Sequence, residues 1–443
     1  MEHNALAAKF SFLSLLKFAL PNIIMMIFLS LYTIVDGMFV SRFVGTLALS
    51  AINMSYPVNC LEMALGIMLA TGGSAVIARQ LGEGREQKAK ESFTFLVLVS
   101  LLLGILCMII GIVFIDEILY LLGTSEAQYE MCREYTLILV GFAPAFFLQT
   151  AFQTLFVTAG KPNLGLFVTV CGGMANIVLD YVFIVILNFG IAGAALATVV
   201  GYMIPAVTGI LYFTFQRKGT LYFVKCRKDL PMLRRVCFNG SSEMVTNIAN
   251  AVTTFLFNML FLRFYGEDGV AAITIVLYFQ FVFAAVFFGF SMGVAPVISF
   301  KYGADEREQL RKIIRYCMCF VLVCSAGTWL LSMVTIETAL GIFTETGNRV
   351  FQITMDGFGI YALSFLLMGI SIFASAMFTA FSDGMSSAII SFMRTFVFLT
   401  GMLLLLPAVM GGVGIWAAVP VAELLGVLVA IWYLVRKRGM YHY

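Results

Sequence analysis

The stretch NIVLDYVFIVILNFGIAGAALAT (176–198) decides the class of fold. It reads as the end of one apolar helix, a turn at NFGIAG (188–193) and the start of the next helix, with no strand-like alternation. Inside the first helix it carries Asp180, four residues after Asn176, and either side chain is costly in hydrocarbon. Outward from it lie further apolar runs, twelve in all: 13–38, 47–79, 91–115, 128–158, 163–187, 191–216, 237–263, 270–300, 312–336, 350–380, 385–408 and 412–435. They are numbered here in order as helices 1 to 12. Most reach the ~20 residues that a spanning helix needs. The 443 residues are 61% hydrophobic and only 12% charged, with a mean hydropathy of +0.99. Soluble chains carry about 25% charge, so this is an integral membrane protein, built of helices and not of a barrel. The first run lacks a small-residue cleavage site and continues into LSLYTIVDGMFV (29–40), which reads as a retained first helix.

The basic residues set the orientation. With the N-terminus inside, the outer segments hold only Arg42, Arg133, Arg263 and Arg349. Nearly all the rest fall on inner segments, among them RKGTLYFVKCRKDLPMLRR (217–235). Both termini are therefore expected in the cytoplasm, and the net charge of +3 is a topology signal with no nucleic-acid patch in it. The nine cysteines lack ligand spacing, and Cys317 and Cys319 point to different helix faces, so they read as small apolar residues.

Sliding the sequence over itself by 221 residues aligns its halves without gaps. SRFVGTLALSAI (41–52) falls on LRFYGEDGVAAI (262–273), and GGSAVIARQLG (72–82) on GVAPVISFKYG (293–303). Thr158-Ala159 falls on Thr379-Ala380, and GIAG (190–193) on GGVG (411–414). Six helices per copy is an even number, so both copies start on the same side, as parallel repeats related by an axis along the membrane normal. The expected architecture is all-α and integral to the membrane: twelve transmembrane helices in two six-helix lobes related by a pseudo-two-fold. The N-terminal lobe is 1–216, the cytoplasmic linker 217–235 and the C-terminal lobe 236–443. Two lobes around a cavity suit alternating access.

Intramembrane charges break the repeat. At the same offset Asp36 falls on Phe257, Asn176 on Val397, Asp180 on Gly401 and Thr198 on Val419, while Arg394 falls on Gly173, Glu423 on Tyr202 and Glu62 on Phe283. At ~1.5 Å per residue, Asp36 on helix 1, Asp180 on helix 5 and Thr198 on helix 6 share one level in the outer leaflet. Asn176 lies a turn below Asp180 on the same face. Asn176 or Thr198 alone would read as a helix–helix hydrogen bond. A buried pair of aspartates instead takes up a proton or binds a cation.

At these residues the chain resembles the multidrug and toxic compound extrusion (MATE) family, nearest its bacterial DinF- and MepA-like branches, over essentially its whole length. The carriers are LPNIIMMIFLSLYTIVDGMFVSRFVG (20–45), GGSAVIARQLGEG (72–84), TAGKP (158–162), and NIVLDYVFI followed by GIAGAALAT. The resemblance implies a cation site at Asp36, Asn176, Asp180 and Thr198. It further implies an antiporter that exports organic, often cationic, compounds against an inward Na+ or H+ gradient, in a bacterial cytoplasmic membrane. Apart from that coupling ion no cofactor or metal is expected. The expected partners are small cationic amphipathic substrates and the lipid bilayer, with no nucleic acid, and the chain is expected to act as a monomer. Some members carry a second ion site in the C-terminal lobe; here its helix 7 position is near Asn250, with Glu243 two turns earlier, and Met292 replaces a helix 8 glutamate.

The remaining polar residues divide by depth. Arg394 and Glu423 fall near the midplane of one hairpin and read as a buried pair. Glu62 is a candidate for attracting a cationic substrate, and Gln149 and Gln153 for lining its cavity. Asp356 reads as solvated. His3 and His442 are terminal, so proton coupling would use carboxylates. A lipid-linked sugar flippase of the same superfamily is the alternative, but it calls for a more basic cavity. No catalytic constellation appears, so no enzyme is expected.

Overall fold

The computed structural model describes residues 5–124, 126–343 and 347–443, and His3 lies outside them. Among the described residues all regular structure is helical. Ten helices among the described residues are long and apolar enough to span a bilayer singly, and two bent pairs, each counted as one span, bring the number to twelve. Helix 1 is Phe12–Phe39, helix 2 Thr46–Gly82, helix 3 Glu86–Val113, helix 5 Pro162–Asp180 and helix 6 Gly190–Phe215. In the second half, helix 7 is Leu230–Tyr265, helix 8 Glu267–Gly303, helix 9 Arg307–Phe343 and helix 12 Gly412–Tyr441. Helix 11 comprises Gly384–Phe392, a π-helical stretch Met393–Phe398, and Leu399–Met410.

Helices 4 and 10 differ from the single runs expected. Helix 4 is Gln128–Gly141 and Ala143–Thr158, meeting at 55°. Pro144 sits in the first turn of its second piece, where it lacks an N–H and crowds the preceding turn. Helix 10 is Arg349–Ala362 and Phe365–Ala380, meeting at 50°, and no residue in its local sequence forces that break. Other helices outrun their apolar cores. Helix 7 starts at Leu230, not 237, because Asp229 caps it by accepting from Met232 N and Pro231 suits its first turn. Hydropathy marks only the part of a helix that sits in hydrocarbon.

The repeat is visible in the backbone. Helices 2 and 8 each have 37 residues and begin 221 positions apart. Each follows a glycine with positive φ, Gly45 at 118° and Gly266 at 72°, a conformation that a side chain strains. Helix 2 packs on helix 7 as helix 8 packs on helix 1. The halves touch through glycines on the side that carries the linker. A Cβ on Gly82 would lie 2.0 Å from the Phe300 carbonyl oxygen, and one on Gly303 2.3 Å from that of Arg79. Gly72 meets the Val236 carbonyl and Gly240 that of Met68 in the same way. Higher up, Asn22 Nδ2 donates to Gly289 O at 2.8 Å.

Two segments staple the linker side. Lys301 is fully buried, and its ammonium donates to Ala7 O at 3.0 Å and to the Glu306 carboxylate, fixing the N-terminal segment beneath the second half. The basic connector is anchored rather than loose. Leu221 is buried, Phe223 packs on Phe93 and Phe213, and Val224 N donates to Thr94 Oγ1.

Candidate ion and substrate site

Glycines bring the first-half polar residues together. Helices 5 and 6 cross where a Cβ on Gly172 would lie 2.6 Å from Gly201 O. Helix 1 closes on helix 5 where Phe28 fills the space over Gly173. The close crossings seat Asn176 and Asp180 in the interior, 1% and 0% exposed, beside Thr198. Asn176 Nδ2 donates to Thr198 Oγ1 at 3.4 Å, and that hydroxyl donates to Ala194 O at 3.0 Å. The carboxyl groups of Asp36 and Asp180 are neighbours within electrostatic reach of each other. Both lie next to π-helical turns, Val40–Val44 after Asp36 and Tyr181–Ile186 directly after Asp180. Such a widened turn re-aims side chains and is frequent at functional sites.

The oxygens of this cluster lack donors. Among the described residues, Asp36 Oδ1, both Asp180 oxygens and Asn176 Oδ1 are buried with no hydrogen-bond partner. A buried acceptor left unpaired is costly, and four together form a negative cavity that a cation or a shared proton would satisfy. Beside them Leu29, Tyr32, Gln149, Asn176, Thr198 and Tyr202 line a small gap between helices 1, 4, 5 and 6. Three tyrosines surround the carboxyls: Tyr32 and Tyr135 lie within electrostatic reach of both aspartates, and Tyr202 of Asp36 and Glu62. Sequence reasoning missed them. Tyr32 could have been found as the residue one turn before Asp36, but no local signal turns Tyr135 or Tyr202 toward the site.

Glu62 is buried and makes no hydrogen bond or ion pair among the described residues. Gln149 lines the same cavity as Asn176, whereas Gln153, one turn toward the linker side, is not part of that lining. Asp356 is exposed.

The MatE family model matches residues 21–182 and 244–404. The chain belongs to the MatE family. It is a multi-pass membrane transporter and not an enzyme. The Multidrug export protein MepA of Staphylococcus aureus (strain bovine RF122 / ET3-1) is 24% identical over 438 residues, covering 96% of this chain and 94% of that protein. A solved MATE in complex with MaL6 superposes with a TM-score of 0.94 at 20% identity, covering 100% and 99% of the two chains. An outward-facing multidrug resistance MATE transporter of the MOP superfamily gives 0.91 at 22% identity, covering 96% of each. At such identities these structures speak for the fold alone.

The second half of this MatE chain holds different chemistry at the corresponding depth. Arg394 lies on the π-helical stretch of helix 11, over Gly426 of helix 12. It grips Glu423, with Nε 2.9 and 2.8 Å from the two carboxylate oxygens and Nη2 2.8 Å from Oε1. Their side chains are 12% and 10% exposed. On the linker side Asp383 caps helix 11 through Ser386 N and Oγ, and it accepts from Lys437 Nζ at 2.6 Å and Tyr441 at 2.9 Å. Burial pushes the Asp383 carboxyl up, but the hydrogen bonds from Lys437, Ser386 and Tyr441 outweigh it and hold the group below the usual carboxylate range.

Proposed function

We propose that this MatE transporter is a secondary multidrug efflux antiporter of a bacterial cytoplasmic membrane, driven inward by Na+ or H+ and exporting cationic amphipathic compounds. The lobes are 1–216 and 236–443, joined by 217–235, and the linker side is the cytoplasm. The observation that carries the reading is the set of donor-free buried oxygens on Asp36, Asp180 and Asn176. Na+ or a proton each neutralise the same charge there, so the two compete for one site. The MepA relative is named for multidrug export, which supports the same reading. Glu62, buried without a counter-charge and near Tyr202, attracts the cationic substrate. The glycine crossings at Gly72, Gly82, Gly240 and Gly303 close the linker side between the halves. Helix 1, with Pro21 near its start and Gly37 beside Asp36, bends when that carboxyl is neutralised and so links ion to substrate.

The test is export from cells at matched membrane expression. Asp36→Asn and Asp180→Asn each insert normally and lose gradient-driven export; retained export in both removes the site assignment. Calorimetry of Na+ binding between about pH 6 and 8 then shows affinity weakening as pH falls, and no binding in Asp36→Asn. An affinity independent of pH refutes the shared site.

A further inference from the structure

Lys301 stands in the last turn of helix 8, one residue after the carbonyl that presses on Gly82 and two before Gly303. It is fully buried, and a lysine almost never is unless its charge is matched. Its partners come from two directions. Glu306, in the turn after helix 8, supplies both carboxylate oxygens at 3.0 and 2.9 Å. Ala7 O of the N-terminal segment accepts from the same ammonium at 3.0 Å. At the 221-residue offset Lys301 falls on Gln80, so the helix-end packing shared by the two copies does not require a lysine here.

The segment that Lys301 holds belongs to the first half. It runs on into helix 1, whose start is fixed by Ser11 and Ser14 capping each other. Ahead of that cap Phe10 is buried edge-on to Phe18, and Leu6 is fully buried. Ala5 lies against the turn between helices 4 and 5, where a Cβ on Gly160 would come within 2.9 Å of the Ala5 Cβ. Ala5–Ala7 therefore touches the first half on one side and helix 8 on the other. The same turn of helix 8 meets the first half twice more: Phe300 O presses on Gly82, and the Tyr302 ring lies 5.1 Å from the Arg79 guanidinium. The segment thus crosses the boundary between the halves at the level of the glycine crossings. Its chemistry differs from theirs. Close-packed glycines lose van der Waals contact outright when they separate. An ammonium that leaves a carbonyl exchanges that hydrogen bond for one to water at small net cost. Lys301 also keeps Glu306, which sits on its own half, through the exchange.

We propose that residues 5–10 are a releasable strap across the linker-side boundary, locked on Lys301 while the halves meet there and let go when they part. In the locked state Ala7 O caps the buried ammonium and ties helix 1 to the end of helix 8. On release water replaces Ala7 O, while Glu306 continues to match the charge. The strap gives the closed linker side a contact that is broken and remade in each cycle. It rests on the reading that the halves part on this side, but it involves neither the ion site nor the substrate, and its test leaves Asp36 and Asp180 intact.

Spin-label distances on the purified protein in nanodiscs test this, on a background lacking the nine native cysteines. Labels at Gln87 and Glu308, exposed on the first turns of helices 3 and 9, read the separation of the halves. Labels at Ala8 and Glu308, both exposed, read the strap against the second half. Lys301→Gln installs what the first copy carries, uncharged and one atom shorter. Deleting residues 2–8 removes the strap but leaves Phe10 and the Ser11 cap in place. Each change raises the ratio of longer to shorter Gln87–Glu308 distances by about tenfold or more, the worth of a hydrogen bond to a charged group. In Lys301→Gln the Ala8–Glu308 distances lengthen as well. Gly82→Ala, which forces the same boundary apart, is the control for the motion itself. Lengthening in Gly82→Ala but in neither strap variant overturns the strap and leaves the parting of the halves standing; no lengthening in any variant overturns both. An Ala8–Glu308 distance that stays short while the halves part shows the segment travelling with the second half, and overturns the release. If the shortened chain does not insert, Lys301→Gln carries the test alone.

Discussion

Replacing Gly82 by alanine tests what holds the linker side shut. The new Cβ would lie 2.0 Å from the Phe300 carbonyl oxygen, where ordinary contact begins at 3.4 Å, a shortfall of 1.4 Å. The obstructing atom is backbone in the last turn of a 37-residue helix, so it cannot swing aside as a side-chain tip would. Overpacking of this kind costs about 1–3 kcal/mol. Set against the state in which the halves part on this side, that penalty shifts the equilibrium by about 5- to 150-fold. Gly303→Ala, with a shortfall of 1.1 Å against Arg79 O, acts through the symmetry-related contact and should shift it in the same direction. The assay is the distance between spin labels at Gln87 and Glu308, exposed residues 221 positions apart on the first turns of helices 3 and 9. The labels are placed on a background lacking the nine native cysteines. A longer-distance population should grow in both variants. A distance distribution unchanged from the parent, in protein that melts normally, would refute the claim that these crossings hold the linker side closed.

The second-half ion pair makes a sharp prediction. Removing one partner of a buried pair strands the other and costs about 3–5 kcal/mol. Arg394→Met and Glu423→Gln should therefore each lower the melting temperature, while the double variant regains part of the loss; additive losses would show the two are not coupled. At Asp383 the folded carboxyl is held below its usual range. Its stabilising contribution is thus complete above the unfolded pKa of ~3.9 and is lost as the pH falls through the lower folded value. Lys437→Met should cost about 1–3 kcal/mol at neutral pH, and the gap to the parent should narrow in acid melts. A gap that persists unchanged at the lowest pH would assign the loss to packing.

What the sequence determined by itself follows from constraints that act locally. Hydrocarbon leaves no partner for an unpaired backbone group, so a run such as 163–187 must be helical wherever it is placed. Gly45 and Gly266 announced the repeat because the chain turns there through positive φ in both copies. The intramembrane aspartates stood out because a carboxylate in lipid demands a reason. The tertiary structure decided everything that depends on how helices are rotated and crossed. That Asp36 reaches Asp180 rests on Phe28 seating over Gly173, and that Asn176 reaches Thr198 rests on the Gly172–Gly201 approach. Tyr135 and Tyr202 join the site from helices whose own sequence does not say which face turns inward. The same holds for Lys301, which reads from the sequence as one basic residue near a helix end. Only the packing of the N-terminal segment on helix 8 buries it against Ala7 and Glu306, because residues far apart in the chain become neighbours through contacts that no local pattern records.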